Sequence, residues 1–329
     1  MSIRNENPSN PSALSSSLPA WSRRQFLASL GLTAALGTSS LAWAESETTP
    51  ASLTEAAAEA ARRPVDPNHF VLLSDTHCAP SLKHQSDFMR KSISDILAMN
   101  PRPAHVLIYG DFAFLYGKLE DYVFLRELMA PLDAAGIPWT TCMGNHDRRE
   151  TFSEIFPEHA AQSLLSDRLV FRVEAPSVDF LLLDSLIEPP ETTRWITPGE
   201  ILDDQKDWLN ETLKAQTKPV ILGAHHLLNE TKLVDLIKSH SCVAGYLNGH
   251  NHYWKPISWD GIPNLTLPSN GHWGDIGFVN ARLTQKKVDF HLVIRDFLIM
   301  NRAPEFEPNV LRKSRLAELQ GASWTLNLG

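Results

Sequence analysis

The segment HFVLLSDTH, residues 69–77, decides the fold class because a short apolar run leads directly into polar residues. A run of this length, bounded by polar residues, is typical of a strand buried on both faces. It ends at Asp75 and His77, whose side chains can both bind metal ions. The segment HVLIYGD, residues 105–111, repeats the pattern and ends at Asp111. The two segments predict neighbouring strands with metal-capable residues at their carboxyl ends.

Around these strands the sequence alternates between helical and strand patterns. Helices are predicted from His84 to Met99 and from Leu119 to Gly136, and PWTTCMGNHD, residues 138–147, supplies a third strand. Such strand–helix–strand repeats predict a parallel sheet covered by helices. The less regular second half predicts strands at 168–173, 178–185, 219–226 and 242–250, helices at 203–215 and 231–239, and a terminal hairpin at 278–284 and 288–294.

Metal-capable side chains follow five of the predicted strands. They are Asp75 and His77, then Asp111, then Asn145, His146 and Asp147, then His225 and His226, and finally His250 and His252. These positions hold six of the 13 histidines, which is too ordered a set for chance. Ligand sites in open α/β sheets form at the carboxyl ends of the strands, so the five loops are expected to converge on one site.

The series D-x-H, GD, GNHD, H and GHxH, found between residues 69 and 255, resembles the calcineurin-like metallophosphoesterase superfamily. The DDQKDWL segment, residues 203–209, is also similar to a helix of that family. The resemblance implies an α/β fold, a four-layer α-β-β-α sandwich of two mixed β-sheets flanked by helices. His77 favours the D-x-H branch, which includes class III cyclic-nucleotide phosphodiesterases. Phe114 stands where the purple acid phosphatase branch has an iron-binding tyrosine.

The resemblance further implies a site for two metal ions, with Asp111 as the bridge between them. It assigns Asp75, His77 and His252 to one ion, and Asn145, His225 and His250 to the other. Imidazole, carboxylate and amide donors suit Fe, Mn or Zn, as divalent or mixed-valence pairs, better than Mg or Ca. Residues two apart in a strand point to opposite faces, so Gly249 is expected to let the loop bend until His250 and His252 both reach the metal pair.

The implied reaction is in-line attack of a metal-bound hydroxide on the phosphorus of a small phosphomonoester or phosphodiester. His146 lies outside the ligand set and is expected to stabilise the transition state or to protonate the leaving oxygen. Asp147 either orients the His146 imidazole or caps the following helix. His226 is expected to support the ligands or to face the substrate. Nothing in the sequence separates a monoester from a diester.

The composition, the net charge and a group of aromatic residues bear on the remaining function classes. The chain of 329 residues is 43% hydrophobic and 21% charged, as expected for a globular protein with a large core. Two alternatives to the phosphoesterase are a nuclease of the same superfamily and a non-catalytic metal-binding protein. The net charge of −8 disfavours nucleic acid as a partner and therefore argues against the nuclease. HWGDIGF, residues 272–278, with Trp254 and Trp259, forms either an aromatic wall for a substrate ring or ordinary packing.

The cysteines form no zinc-type pair and are interpreted as small buried residues, although one disulfide with a free thiol stays open. They are Cys78, Cys142 and Cys242.

Residues 1–44 resemble a twin-arginine export signal. Arg23 and Arg24 precede a moderately apolar run, and Ala42-Trp43-Ala44 matches a small-x-small cleavage pattern. The run is short and rich in Gly, Ser and Thr, so a cleaved signal is favoured over a membrane anchor, and no stable membrane span is expected. The signal implies the twin-arginine machinery as a partner, a periplasmic or extracellular location in a bacterium, and metal uptake before export.

The rest of the chain divides by composition. Residues 45–67 are rich in alanine and glutamate and predict a linker with a marginal helix inside it. Residues 68–300 are assigned to the metallophosphoesterase domain, and residues 301–329 to a C-terminal extension.

Overall fold

The structure, a computed structural model, describes residues 49–299 and 308–329. Within these ranges two mixed sheets of six strands pack together and are flanked by helices, which confirms the predicted sandwich. The strands are β1 Val65–Leu73, β2 Arg102–Tyr109, β3 Trp139–Cys142, β4 Phe171–Glu174, β5 Asp179–Leu182, β6 Val220–Gly223, β7 Val243–Asn248, β8 Lys255–Trp259, β9 Ile262–Thr266, β10 Gly274–Leu283, β11 Lys287–Leu298 and β12 Ser323–Asn327. The helices are α1 Pro50–Ala60, α2 Lys83–Ala98, α3 Leu119–Ala134, α4 Arg149–Ile155, α5 Pro157–Ala160, α6 Asp203–Lys214, α7 Leu228–Thr231, α8 Val234–Lys238 and α9 Pro308–Leu319.

The first sheet has the strand order β12-β11-β10-β1-β2-β3. Strands β1, β2 and β3 run parallel, and Leu73 pairs with Ile108 while Tyr109 pairs with Cys142. The three strands therefore end at the same edge of the sheet. Their helical connections α2 and α3 lie between them in sequence, as the strand–helix repeat predicts.

The second sheet has the order β4-β5-β6-β7-β9-β8. Strands β5, β6, β7 and β9 are parallel, and the antiparallel strands β4 and β8 form its edges. Its central strands alternate between two cores. Phe180 and Leu182 of β5 join a core shared with the first sheet, whereas Leu181 faces a smaller core with Leu209 and Leu213 of α6. Burial on both faces explains why these strands are almost wholly apolar.

The segment predicted to be a linker with a marginal helix contains a helix in its described part, and this helix packs in the main core. Helix α1 buries Leu53, Ala57 and Ala60 in the main core, and Thr49 caps its first turn by accepting a hydrogen bond from the backbone of Ser52. Strand β1 begins at Val65, before the boundary predicted at residue 68. The alanines pack closely although they give little hydrophobic signal in the sequence.

The C-terminal residues also contribute to the sheet. Strand β12 pairs with β11 in antiparallel register, with Trp324 opposite Phe290 and their rings stacked 5.5 Å apart. The described part of the predicted extension therefore supplies an edge strand.

All three cysteines lie in the described ranges and are free, with Cys78 and Cys142 buried and Cys242 half-buried. No helix among the described residues is both long and apolar enough to cross a membrane. The predicted export signal, residues 1–44, lies outside the described residues, and its assignment stays a prediction.

Candidate metal centre

The loops that follow β1 and β2 continue to bond to each other beyond the strands. The backbone N–H of Asp75 donates to the carbonyl of Gly110 at 3.0 Å, and that of His77 donates to the carbonyl of Asp111 at 3.0 Å. From the second sheet, the loops after β6 and β7 bring His225 and His250 to the same place. The predicted convergence of strand ends therefore occurs.

Several of the predicted ligands have a left-handed backbone conformation, which non-glycine residues rarely adopt. They are Asp75 (φ 51°), His77 (φ 45°), Asp111 (φ 49°), His250 (φ 73°) and His252 (φ 60°). Each such residue costs on the order of 1–3 kcal/mol, and such residues concentrate at functional sites. The backbone is bent at the ligand positions themselves so that side chains of successive loops point to one centre.

Gly249 does not have the role that its position suggests. Its φ lies outside the left-handed region, and the bend occurs instead at His250 and His252. A Cβ atom at position 249 would overlap the hydroxyl of Ser74 and lie 2.7 Å from an Asp75 carboxylate oxygen. Glycine is required here for close approach of two loops.

One cluster of donor atoms contains Asp75, His77, Asp111 and His252, all buried and within 4.8 Å of one another. The Asp75 Oδ1 atom lies 3.0 Å from His252 Nε2 and 3.9 Å from His77 Nε2. The His77 Nε2 atom lies 3.4 Å from Asp111 Oδ2. This cluster contains the three residues assigned to one ion and the predicted bridge.

A second cluster surrounds His225. Its Nε2 atom lies 3.2 Å from Asn145 Oδ1, 3.1 Å from His250 Nδ1 and 3.3 Å from Asp111 Oδ2. The same Asp111 oxygen therefore faces both clusters. The other oxygen, Oδ1, accepts a hydrogen bond of 2.9 Å from the backbone of His146, which fixes the carboxylate.

The side chains present fit metal ions. Both ring nitrogens of His77 are buried and have no hydrogen-bond partner among the described residues, a costly state unless something else binds them. Burial lowers the pKa of His77 well below its usual value, and that of His250 to about 4. Both imidazoles are therefore neutral near pH 7, as metal binding requires.

The imidazole of His225 is also oriented for metal binding. Its Nδ1 bonds to the carbonyl of Tyr109 at 2.9 Å, which orients Nε2 towards the centre. Burial lowers the pKa of His225, but the carboxylates of Asp111 and Asp75 and the carbonyl of Tyr109 together outweigh burial and raise it to about 9. A bound cation would compete with a proton for this nitrogen.

His146 lies beside the clusters, with its ring 5.1 Å from that of His77. Its Nδ1 bonds to the carbonyl of Leu115 at 2.9 Å, so Nε2 is the ring nitrogen left for a substrate. Leu115 itself has a left-handed φ of 54°. The arrangement agrees with the predicted position of His146 outside the ligand set.

Asp147 has neither of the two roles considered from the sequence. Its carboxylate accepts hydrogen bonds from the backbone of Phe112, Ala113 and Gly144 and from the hydroxyl of Tyr122, and none of these bonds reaches the His146 ring. Helix α4 begins after Arg148 without a side-chain cap. Burial, together with the charge of Asp111, raises the pKa of Asp147 to about 6. Asp147 joins the loops after β2 and β3 and so positions Asp111.

His226 is buried beside the second cluster. Its Nδ1 lies 2.7 Å from the hydroxyl of Ser185, and its ring lies 4.9 Å from the rings of both His225 and His250. Its Nε2 has no hydrogen-bond partner among the described residues, and a donor atom of His226 lies within 4.8 Å of donor atoms of His225 and His250. Both roles considered from the sequence stay predictions.

Two residues near the site were not singled out from the sequence. His272 lies in the quoted stretch 272–278, and its ring is 4.2 Å from that of His77. Trp195, in an irregular loop, lies 5.0 Å from the ring of His146. Only the tertiary structure identifies Trp195, because no local pattern distinguishes its loop.

Trp254 is buried and Trp259 lies on the edge strand β8, so both take the packing alternative.

The comparisons with known proteins agree with this geometry. The family model described as calcineurin-like phosphoesterase matches residues 69–254, more than half of the chain. A protein of Psychrobacter arcticus named "Probable cyclic nucleotide phosphodiesterase" is 30% identical over 199 residues, 54% of this chain and 67% of that protein. A protein of the same description from Rhodopseudomonas palustris is 27% identical over 241 residues, 68% of this chain and 81% of that protein.

Among solved structures, a purple acid phosphatase from yellow lupin seeds aligns with a TM-score of 0.48 and 12% identity, over 78% of this chain and 53% of that chain. The family match covers every strand end at which the predicted ligands lie. The chain belongs to the calcineurin-like phosphoesterase family and is a metal-dependent phosphoesterase.

Proposed function

We propose that this protein hydrolyses a small phosphodiester at a site for two metal ions, and that cyclic nucleotides are its substrate class. The observation that carries the proposal is the position of Asp111 Oδ2, 3.4 Å from His77 Nε2 and 3.3 Å from His225 Nε2. A carboxylate oxygen shared by two donor clusters suits two neighbouring cations. The names of the two bacterial relatives support the substrate class.

The proposed division of ligands follows the two clusters. Asp75, His77 and His252 would hold one ion, Asn145, His225 and His250 would hold the other, and the carboxylate of Asp111 would be shared between the two sets. Four imidazoles with carboxylate and amide oxygens suit Fe, Mn or Zn. When bound, the ions supply positive charge that neutralises phosphate oxygens and lowers the pKa of a water molecule towards neutrality.

The chain's own residues supply orientation and a proton. His146 Nε2 is the ring nitrogen that remains for the substrate, since Nδ1 is bonded to Leu115. We assign it the transfer of a proton to the leaving oxygen, which suits its position 5.1 Å from the ring of the ligand His77. Asp147 holds the backbone on which Asp111 and His146 lie, and so acts through them.

We also propose that the protein is exported, on the basis of Arg23, Arg24 and the Ala42-Trp43-Ala44 pattern. Cell fractionation and N-terminal sequencing of the exported protein test this. We expect the exported protein to begin at residue 45. We expect the variant in which both arginines are replaced by lysine to stay in the cytoplasm. Unchanged export of that variant would contradict the assignment.

The test of the catalytic proposal is metal analysis of the purified protein together with a panel of phosphate esters. We expect two ions per chain and faster hydrolysis of 3′,5′-cyclic nucleotides than of phosphomonoesters or single-stranded polynucleotides. A chelated sample is the control. Full metal content with no hydrolysis of any ester would favour a non-catalytic metal-binding protein, and a preference for polynucleotides would favour a nuclease.

A further inference from the structure

Trp195 lies beside His146 and is not buried. Its ring is 5.0 Å from that of His146 and 5.5 Å from that of Tyr116, and 39% of the residue is exposed. An exposed part of an aromatic residue therefore lies next to the proposed proton donor.

The guanidinium of Arg148 holds three backbone positions of the loop that carries Trp195. The guanidinium of Arg148 donates to the backbone carbonyls of Pro189 at 2.8 Å, Glu191 at 2.7 Å and Arg194 at 3.0 Å. Three charge-assisted bonds to one loop fix its path. Arg148 directly follows the GNHD segment, so the proton donor and the loop opposite it are positioned from the same turn.

The next residue secures the beginning of this loop. Arg149 binds Asp184 through two bonds of 2.7 Å and Glu188 through one of 2.6 Å, and Asp184 is buried. The loop from residue 188 to 195 therefore has polar attachments along most of its length. Such preorganisation lowers the entropy that the loop itself loses when a ligand stacks on it.

We propose that Trp195 is the surface on which an aromatic ring of the substrate, such as a nucleobase, stacks, and that Arg148 is its positioning residue. The inference rests on the proposed function, because it takes the leaving oxygen to lie at His146. A nucleotide whose phosphate occupies the metal centre then extends its base past His146 towards Trp195. Stacking tolerates every base, so this surface selects nucleotides as a class over small phosphate esters.

Equilibrium binding to the metal-loaded protein tests the inference without turnover. The probes are adenosine 5′-monophosphate and inorganic phosphate. We expect Trp195→Ala to weaken nucleotide binding by about 5- to 150-fold, the range for loss of one base stack, and to leave phosphate binding unchanged. Trp195→Phe should restore most of the loss. The matched control is Trp259→Ala, because Trp259 is 38% exposed on the edge strand β8, and it should change neither affinity.

Arg148 has a separate readout. If it acts through Trp195, Arg148→Ala lowers the preference for nucleotide over phosphate, and adding Trp195→Ala causes little further loss. Independent, multiplying losses in the double variant would contradict a positioning role. Arg63→Ala is the control, since Arg63 also donates to two backbone carbonyls, those of Leu97 and Met99, beside the start of β1.

The outcomes separate this inference from the proposed function. Equal loss of both ligands in Trp195→Ala, or no loss of either, overturns the inference even when ester hydrolysis is intact. Loss in Trp273→Ala but not in Trp195→Ala also overturns it, because Trp273 lies on the side of His252, 4.2 Å between ring centres. Nucleotide binding that depends on Trp195 in a protein that hydrolyses no ester upholds the inference and refutes the catalytic proposal.

Discussion

Replacement of His146 by glutamine tests the assignment of the proton donor most directly. The change removes the ring nitrogen Nε2 but keeps the backbone N–H that donates to Asp111 at 2.9 Å, so the shared carboxylate should stay in place. Proton transfer by a positioned side chain contributes roughly 10²- to 10⁴-fold to rate. We therefore expect kcat to fall by that factor, equivalent to about 3–5 kcal/mol of barrier, with metal content unchanged.

The size of the loss should depend on the leaving group. A nitrophenolate leaves without a proton, so His146→Gln should reduce kcat less for a nitrophenyl ester than for a cyclic nucleotide. The two fold losses in kcat should differ by at least about tenfold. The assay is steady-state kinetics on both esters, with metal analysis of each preparation. His240→Gln is a suitable control, because His240 is half-buried and bonded at 2.9 Å to Asn210 of helix α6, outside both ligand clusters.

Two results would refute this reasoning. An equal loss for both esters would mean that His146 does not donate a proton to the leaving oxygen. A fall in metal content would mean that the side chain supports the ligands instead.

Three further predictions concern metal content and stability. Asp111→Asn should reduce bound metal to one ion or fewer per chain by elemental analysis, because its Oδ2 serves both clusters; two retained ions would argue against a bridge. Leu53→Ala should lower the free energy of unfolding by about 2–5 kcal/mol in urea, since Leu53 is buried in the main core, whereas a true linker would show no change. Burial, with the charge of Glu120, raises the pKa of Asp121 from 3.8 to about 7. The folded protein then binds this proton more tightly than the unfolded chain does, so the free energy of unfolding of the wild type should fall as the pH rises from 3.8 to about 7. Asp121→Asn should gain relative stability, at most about 4 kcal/mol, over this window, and parallel pH curves for the two proteins would contradict the shift.

The parts of the fold that the sequence predicts are those with strong local patterns. Strands β1 and β2 each end in an apolar run, residues 70–73 and 106–109, and their parallel pairing follows from the helix between them. The ligand positions follow because parallel strands end at one edge, which brings Asp75 beside Asp111. Helix α1 is predicted inside residues 45–67, but its packing in the main core has no sequence signal, because alanines such as Ala57 pack closely while adding little to an apolar pattern.

Other features depend on tertiary contacts and have no local signal. The β8–β9 hairpin was not predicted, because β8 is an exposed edge strand that lacks apolar alternation. Asp147 was given two roles from its neighbours in sequence, but its partners Phe112 and Tyr122 are distant along the chain. Trp195 was not identified at all, since its importance arises from Arg148 and the loop that Arg148 holds.

The predicted metal ligands come from both sheets. Asp75, Asp111 and Asn145 follow strands of the first sheet, and His225 and His250 follow strands of the second. Ions bound by both sets would act as a cross-link between the layers. Folding and metal supply are then thermodynamically linked, so the melting temperature should rise with free metal concentration. At one hundred times the dissociation constant, a bound ion adds roughly 2.7 kcal/mol to the free energy of unfolding. In a metal-poor environment such a protein would be both less stable and less active.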